Sequence, residues 1–496
     1  MAANLLSLVL ATGQNLLLVP LFLSLWGVSL YGDWLALSAA ATYMSLLDAG
    51  MQMYVVNLMN VHRTRQEYAE FHQVLHSALL LYLTITVAAS AVVLSIAWQV
   101  PWVNLLKLEV IGQEMAAVLF ILISVSILAS LLAGLLSGIY RCIGEYDRGQ
   151  NVGNAVRLIN LVATFAALLA DGGPIIVVGL MALQPFLALG IVIHDLRRRH
   201  RDIEIGLSKA SWRQARTFFG PGMLFFLFPL SNSLTVQGTS IVLSATLGST
   251  SLVLFTTTRT LANLLRQLFS AMNTALWPEV TSLYAAGDFG RLRLLHSKAC
   301  KYAFAGSFAV ATFLFFFGPS IYKEWTRHRV EPDMVLFGIF LVVAVSESLW
   351  FTSGTFQAAV NLHRNSAVRS LLAALTTISL ALILVHFWKE RGVGLAVLVA
   401  ELLFLSYGLM RNTCRIIEES AASLLVNILL RSAPFAICSV LLSWGLSVAV
   451  KEHWSGLLLA GVLYGLSVAM TAKIFLLDDI EKKRVRSWMT TWSEVL

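Results

Sequence analysis

The segment MAAVLFILISVSILASLLAGLLSGIY, Met115–Tyr140, carries no charged residue over 26 positions. A helix needs about 20 apolar residues to cross roughly 30 Å of hydrocarbon, so this segment is long enough to span a bilayer. Two further uncharged stretches, Leu75–Val100 and Thr217–Thr258, reach the same length. The pattern predicts a membrane protein with several spanning helices.

The composition of the whole chain supports this prediction. Of its 496 residues, 58% are hydrophobic and 12% are charged, whereas a soluble domain has about 25% charged residues. Lipid must replace water over most of such a surface, which excludes a soluble enzyme. The net charge of +8 does not indicate nucleic-acid binding, because the basic residues lie in short loops between apolar runs. Four cysteines match no zinc or redox spacing, so we expect no metal, cofactor or structural disulfide: Cys142, Cys300, Cys414 and Cys438.

The apolar runs predict an all-α polytopic membrane protein with about fourteen spans. These lie near residues 4–25, 33–59, 75–99, 114–140, 152–171, 175–194, 217–247, 252–282, 297–320, 335–361, 367–388, 393–411, 430–450 and 455–477. Alternate loops differ in charge: one set holds 26 Lys and Arg residues and the other holds 7. The positive-inside rule therefore predicts that both termini are cytoplasmic.

A weak internal repeat suggests how the spans are grouped. VLHSALLLY at Val74–Tyr82 is similar to LLHSKACKY at Leu294–Tyr302, and this offset of 220 residues pairs the third span with the ninth and the first span with the seventh. A repeat of six spans is even, so the two halves share one orientation. We expect two parallel six-helix lobes around a central cavity, residues 1–200 and 201–416, followed by a helix pair and a cytoplasmic tail, residues 417–496.

One predicted span carries polar side chains at helical spacing. Steps of 4, 3, 4 and 3 place five residues on one helical face, namely Arg259, Asn263, Arg266, Ser270 and Asn273. A charge at the bilayer centre costs about 2.5–3.5 kcal/mol, so the arginines must face protein or water. They either pair with buried acids and only lock helices together, or they line a wet cavity and bind an anionic head group. Guanidinium donates bidentately to phosphate, so we expect Arg259, Asn263 and Arg266 to bind phosphate, with Ser270 and Asn273 lining the cavity.

The repeat places a second polar face on the span near 33–59, and we expect its side chains to line the same cavity: Ser38, Thr42, Ser45 and Gln52. Buried acids lie at Asp48, Glu347 and Glu401. Burial brings a carboxyl group into a range where it can exchange protons, so Asp48 and Glu347 are candidates for proton coupling. Each acid is equally a candidate partner for an arginine, and for Glu401 we favour that structural role.

The run LSLWGVSLYGDWLALSAAATYMSLLDAGMQ, Leu23–Gln52, resembles the first two spans of Wzx-type polysaccharide flippases, which belong to the multidrug/oligosaccharidyl-lipid/polysaccharide exporter superfamily. The ending Trp277–Glu279 of the arginine-bearing span fits the same family. The resemblance implies twelve to fourteen helices in two lobes. It also implies transport of a polyprenyl-pyrophosphate-linked oligosaccharide, an O-antigen or exopolysaccharide unit, across the bacterial inner membrane by alternating access.

Three functions compete on this basis. A flippase, which is not an enzyme, would use the arginines to hold the pyrophosphate. Its partners would be a lipid-linked oligosaccharide and the bilayer, and other polysaccharide-assembly membrane proteins are further candidate partners. A drug or cation antiporter of the same superfamily would need an acidic cavity, which two arginines disfavour. A membrane glycosyltransferase or polymerase would need large outer loops, whereas the longest here, near 100–113 and 321–334, are about fourteen residues each.

Overall fold

The computed structural model describes residues 2–360, 362, 364–450, 453–478 and 481. These residues form helices without any β-strand, which confirms the predicted all-α class. The α-helices of the first half are α1 (Ala2–Leu25), α2 (Gly27–Thr42), α3 (Met51–Thr64), α4 (Tyr68–Ile96), α5 (Trp102–Leu106), α6 (Gln113–Cys142), α7 (Tyr146–Leu169), α8 (Pro174–Ala182), α9 (Gln184–Arg199), α10 (Trp212–Thr217), α11 (Phe219–Ser233) and α12 (Thr239–Leu247). Those of the second half are α13 (Ser249–Ala262), α14 (Leu264–Ala285), α15 (Phe289–Trp325), α16 (Met334–Ala359), α17 (Arg364–Glu401), α18 (Tyr407–Ile416), α19 (Ala421–Ala449) and α20 (Trp454–Phe475).

Within the described residues, ten helical stretches are long and apolar enough to cross a membrane. One of them, Arg364–Ile416, covers two predicted spans, and its backbone leaves the helical region at Trp388 and Lys389. The predicted spans near 33–59, 217–247 and 252–282 fall on shorter helices interrupted by other structure. A multi-pass membrane protein is therefore confirmed, whereas the count of fourteen, the lobe arrangement and the orientation of the termini stay predictions.

The prediction of one continuous helix over residues 33–59 is wrong. After α2 ends, a 3₁₀ segment runs over Tyr43–Asp48, and Ala49 and Gly50 take left-handed φ values of 47° and 71°. The Asp48 carboxylate accepts the backbone N–H of Gln52 at 3.2 Å and so caps the start of α3. As a consequence, the predicted stripe is split between α2, the 3₁₀ segment and α3, and it does not form one helical face: Ser38, Thr42, Ser45 and Gln52.

The chain divides into two compact units. Unit 1 consists of Met1–Thr257 and Ser370–Ala396, and unit 2 of Thr258–Arg369 and Val397–Leu496. Helices α11 and α12 pack within unit 1, against α3 and α2. The lobe boundaries expected at residues 200 and 416 do not coincide with this division, and they stay predictions about the repeat.

Two glycines of α6 allow close packing in unit 1. A Cβ atom at Gly134 would overlap the Gln52 side-chain amide, and one at Gly138 would overlap Val56. Val56 is short and branched and cannot move aside, so glycine is needed at Gly138, whereas the flexible end of Gln52 could shift away from a Cβ atom at Gly134. In contrast, a Cβ atom at Gly465 of α20 would meet no atom of the described structure within 4 Å.

We therefore predict opposite effects for the same substitution at these two sites. Gly138→Ala is expected to lower the free energy of unfolding by about 1–3 kcal/mol through overpacking. Gly465→Ala is expected to leave it unchanged or to raise it by up to about 1 kcal/mol, since alanine is the better helix former. Thermal unfolding of the two purified variants in detergent measures the difference, and equal effects would contradict the close packing of α3 on α6.

The connection between α5 and α6 is held by two acids of unit 1, the buried Asp33 and the exposed Glu109. Asp33, fully buried, accepts the backbone N–H groups of Glu109, Val110 and Ile111 at 2.8–2.9 Å. Glu109 in turn accepts from the hydroxyl groups of Ser29 and Thr250, at 2.6 and 2.8 Å. Partial burial raises the pKa of Glu109, but these hydrogen bonds lower it by a larger amount. The pKa of Glu109 therefore lies below its usual value. Asp33 thus accepts three consecutive backbone donors, of which the N–H of Ile111 is buried.

Loss of Asp33 should destabilise unit 1. Asp33→Ala leaves three backbone N–H groups without their acceptor, one of them buried, and a buried unsatisfied donor costs about 1–3 kcal/mol, so we expect a loss of at least about 1–3 kcal/mol in thermal unfolding. Glu114→Ala, an exposed acid in the first turn of α6, is the matched control and should change stability by less than about 1 kcal/mol. An Asp33→Ala protein as stable as the control would show that the three bonds do not hold this connection.

Candidate substrate-binding site

The two arginines lie on consecutive helices. Arg259 is near the end of α13 and Arg266 near the start of α14, and Asn263 separates the helices while keeping right-handed backbone angles (φ −67°, ψ −11°). The backbone N–H of Asn263 still bonds to the carbonyl of Arg259 at 2.9 Å, so the helical spacing continues between them. Arg259 is partly exposed, Asn263 is exposed, and the Arg266 side chain is 43% exposed.

Arg266 has a counter-charge on a neighbouring helix. Its Nε atom lies 3.0 Å from a carboxylate oxygen of Glu347 in the middle of α16. The guanidinium carbon also lies 5.9 Å from the centre of the Phe351 ring, one helical turn further along α16. The Glu347 side chain is only 10% exposed, whereas that of Arg266 is 43% exposed. One partner of the pair is thus buried and the other reaches solvent-accessible space.

A second buried acid lies beside this pair. Glu401, the last residue of α17, accepts a hydrogen bond from the indole N–H of Trp350 at 3.1 Å. It also interacts electrostatically with Glu347 and Arg266. Trp350 lies three residues after Glu347 on α16, so the indole and the carboxylate share one helical face. Arg266, Glu347 and Glu401 therefore form one cluster of ionisable side chains, which we call the acid–arginine cluster.

The backbone next to Glu401 is irregular. A π-helical segment, Leu402–Ser406, follows it directly, and the Ser406 hydroxyl lies 2.6 Å from that of Ser346 on α16. Arg369 donates to the carbonyl of Phe404 within the segment at 3.4 Å. Short π-helical segments leave backbone groups in need of partners and are frequent at functional sites. This segment positions Glu401 against α16.

The remaining residues of the arginine stripe have different environments. Asn273 is 2% exposed, and neither polar atom of its side chain has a hydrogen-bond partner in the described structure. The side chain of Ser270 lies outside the described part of the chain. The Asn273 side chain therefore lies on the packed face of α14 and does not line an open space in this structure.

The predicted polar residues of unit 1 bond locally. Asp48 accepts a hydrogen bond from the Tyr82 hydroxyl at 2.5 Å, in addition to capping α3. The hydroxyl groups of Thr42 and Ser45 donate to backbone carbonyls three or four residues earlier. The Ser38 hydroxyl is buried and has no partner among the described residues, and Gln52 packs against Gly134. In this conformation Asp48 therefore has a structural role, because its carboxylate connects α3 with α4.

Sequence reasoning missed two contributors to the site. Trp350 and Phe351 contact Glu401 and Arg266, and both looked like ordinary apolar residues of a span. Their spacing of three and four residues from Glu347 is the signal that could have identified them.

Among solved structures, the chain is similar to a lipid II flippase, MurJ, in an inward closed conformation (TM-score 0.69, 13% identity, covering 96% of this chain and 98% of that chain). It is also similar to a multidrug-resistance MATE transporter in an inward-facing conformation (TM-score 0.65, 15% identity, 82% and 98% covered). A third is a transporter from Pyrococcus furiosus whose binding pocket is described as reversed in polarity (TM-score 0.53, 16% identity, 83% and 96% covered). No protein-family model and no curated protein sequence matches the chain.

These likenesses define a class. The chain has the fold of the MOP transporter superfamily, to which the MATE transporters and the Pyrococcus protein are assigned. This agrees with the superfamily suggested by Leu23–Gln52. At such low identity the likeness concerns the fold, and the site must be judged from its own residues.

The unequal exposure of the Arg266–Glu347 pair leads to a prediction. Arg266→Met leaves a carboxylate buried without its cation, which should cost about 3–5 kcal/mol. Glu347→Gln leaves the more exposed partner without its counter-charge, which should cost clearly less. The double variant should recover part of the loss seen in Arg266→Met. Thermal unfolding of the three variants measures the order, and a greater loss in Glu347→Gln than in Arg266→Met would contradict the assigned burial.

Proposed function

We propose that this protein is a flippase that moves a polyprenyl-pyrophosphate-linked oligosaccharide, an O-antigen or exopolysaccharide unit, across the bacterial inner membrane by alternating access. Arg259, Asn263 and Arg266 would bind the pyrophosphate, while the lipid tail stays in the bilayer. The observation that supports this most directly is the pairing of a half-exposed arginine, Arg266, with a buried acid, Glu347.

Such an arginine can change partners. Arg266 makes its ion pair through Nε, and its guanidinium has five N–H donors in a planar fork that suits phosphate oxygens. Because the side chain is 43% exposed, an anion can approach it without first unpacking α14 from α16. A pyrophosphate that binds here competes with Glu347 for the same cation.

This competition would couple transport to protons. When the pyrophosphate takes Arg266, Glu347 stays in an apolar setting next to a second carboxyl group, Glu401. A buried carboxylate without a cation is stabilised by taking up a proton. Substrate binding would then be accompanied by protonation of the acid–arginine cluster, and substrate release by loss of that proton. Asp48 remains a second candidate for such a role, in unit 1.

The extent of the structural likeness supports a lipid-linked substrate. The MurJ structure, that of a lipid II flippase, covers 96% of this chain, and the MATE structure covers 82%. A drug or cation antiporter is the alternative that shares the fold. Arg259 and Arg266 disfavour it, because positive side chains repel a cationic substrate.

Reconstituted vesicles with a fluorescent polyprenyl-pyrophosphate sugar test the proposal by scoring transfer between leaflets. We expect Arg259→Ala and Arg266→Ala to lower apparent substrate affinity roughly 10- to 100-fold, because each loses a charge-assisted interaction of about 1.5–3 kcal/mol. Arg266→Lys keeps the charge without the planar fork and should lose less. Glu347→Gln should retain binding but lose the dependence of transfer on a proton gradient.

Arg213→Ala is the matched control, since Arg213 is exposed on α10 and should tolerate the change without an effect on transfer. Normal transfer in both arginine variants would overturn the binding role of Arg259 and Arg266 but not the flippase class. Failure of the wild-type protein to move the lipid, together with proton-driven efflux of a cationic dye, would favour the antiporter instead.

A further inference from the structure

Unit 2 contains a second group of chemically active side chains, away from the arginines. An imidazole nitrogen of His296, the sulfur of Cys414 and a carboxylate oxygen of Glu419 all lie within 4.8 Å of one another. His296 belongs to the second turn of α15, and Cys414 to the last turn of α18. Residues of three ligand types from two separate helices therefore converge on one point.

The end of α18 brings Glu419 back over Cys414. Glu418 takes a left-handed φ of 57°, the N–H of Glu419 bonds to the carbonyl of Cys414 at 2.7 Å, and the N–H of Glu418 bonds to that of Arg415 at 3.4 Å. This pair of bonds is the Schellman arrangement, which reverses the chain after a helix. The position with positive φ usually holds glycine, and glutamate occupies it here. The reversal gives Cys414 and Glu419 a fixed spacing.

The polar atoms of this group are buried and poorly satisfied. His296 and Cys414 are fully buried, and the Glu419 side chain is 23% exposed. Within the described residues, His296 Nδ1 and Glu419 Oε2 have no hydrogen-bond partner, and they face each other at 4.0 Å. That distance is too long for a hydrogen bond. Buried polar atoms without partners cost about 1–3 kcal/mol each, so a ligand between them would be stabilised.

The other ring nitrogen of His296 has the partner that a metal-binding histidine needs. Nε2 lies 3.1 Å from the Ser353 hydroxyl on α16. If Nε2 carries the proton and donates it to Ser353, Nδ1 keeps a lone pair on the side that faces Glu419 and can serve as a ligand atom. Metal-ligating histidines almost always donate their second N–H in this way, which fixes the ring and its tautomer. Cys300 lies on the Nε2 side, 3.5 Å from that atom, so it is outside the set of three.

We propose that His296 Nδ1, Cys414 Sγ and Glu419 form a zinc-binding site, with a water molecule as the fourth ligand. Thiolate, imidazole and carboxylate are the ligands that Zn²⁺ uses in proteins. With bonds of about 2.0–2.3 Å and tetrahedral angles, ligand atoms lie roughly 3.3–3.6 Å apart. The present separations, up to 4.8 Å, would close by about 1 Å when the ion binds.

Zinc at this point would fasten the beginning of α15 to the end of α18. The competing arrangement of the same atoms is a protonated His296 beside Glu419, which needs no metal and leaves the Cys414 thiol protonated. The two arrangements differ in one observable property, namely whether the sulfur of Cys414 binds a metal ion. On the predicted topology the group lies near the cytoplasmic side, where thiols stay reduced and available.

The experiment uses the full-length protein in detergent, stripped of metal and then titrated with Co²⁺, which reports thiolate ligation through a near-ultraviolet charge-transfer band. We expect the wild type to show this band, to lose it when Zn²⁺ is added, and to retain about one Zn²⁺ per chain after dialysis. Bound zinc should also raise the unfolding temperature, because it binds the folded state only.

Cys414→Ser and Glu419→Gln should weaken zinc binding, and Cys414→Ser should abolish the cobalt band. Cys438→Ser and Cys300→Ser are matched controls that remove thiols outside the set and should keep both the band and the zinc. A wild-type protein without the band, or a Cys414→Ser protein that keeps it, would overturn the proposal. The wild-type titration decides the question even if a variant fails to fold.

Discussion

The ion pair between Arg266 and Glu347 is the interaction on which the candidate substrate-binding site depends. A guanidinium group in an apolar helix needs a counter-charge, and a carboxylate that is 10% exposed needs a cation just as much. The pair ties α14 to α16, and through Trp350 the same face of α16 reaches Glu401. The ion pair and this hydrogen bond therefore connect three helices, α14, α16 and α17.

Side chains also provide hydrogen-bond partners for the backbone at several places where a helix is interrupted. In hydrocarbon, water does not satisfy a free N–H or C=O group, so each break in a helix needs a partner from the protein. Asp48 provides it for α3 and Arg369 for the π-helical segment, while Asp33 does so for the connection before α6. In these places polar residues inside the apolar chain have a structural role, and polarity alone does not identify a binding site.

The class of protein and the helical spacing of Arg259 and Arg266 could be predicted from the sequence, because hydropathy and helical spacing are local properties. Arg259 and Arg266 were found in this way, and the continuous polar face of residues 33–59 was wrongly predicted by the same reasoning. Ala49 has a left-handed backbone although it is not glycine, and nothing in the local composition indicates that. Likewise, three acids were candidates for Arg266, and only the packing of α14 on α16 selects Glu347, while Asp48 bonds to Tyr82.

The π-helical segment Leu402–Ser406 has a consequence for how this chain tolerates insertions and deletions. A π turn holds about one residue more than an α turn, and each residue of an α-helix rotates the chain by about 100°. Deleting one residue there would restore a regular α-helix and rotate Glu401 away from Trp350, or else rotate the whole of α18. The number of residues inside this span is thus fixed by the position of Glu401 against α16.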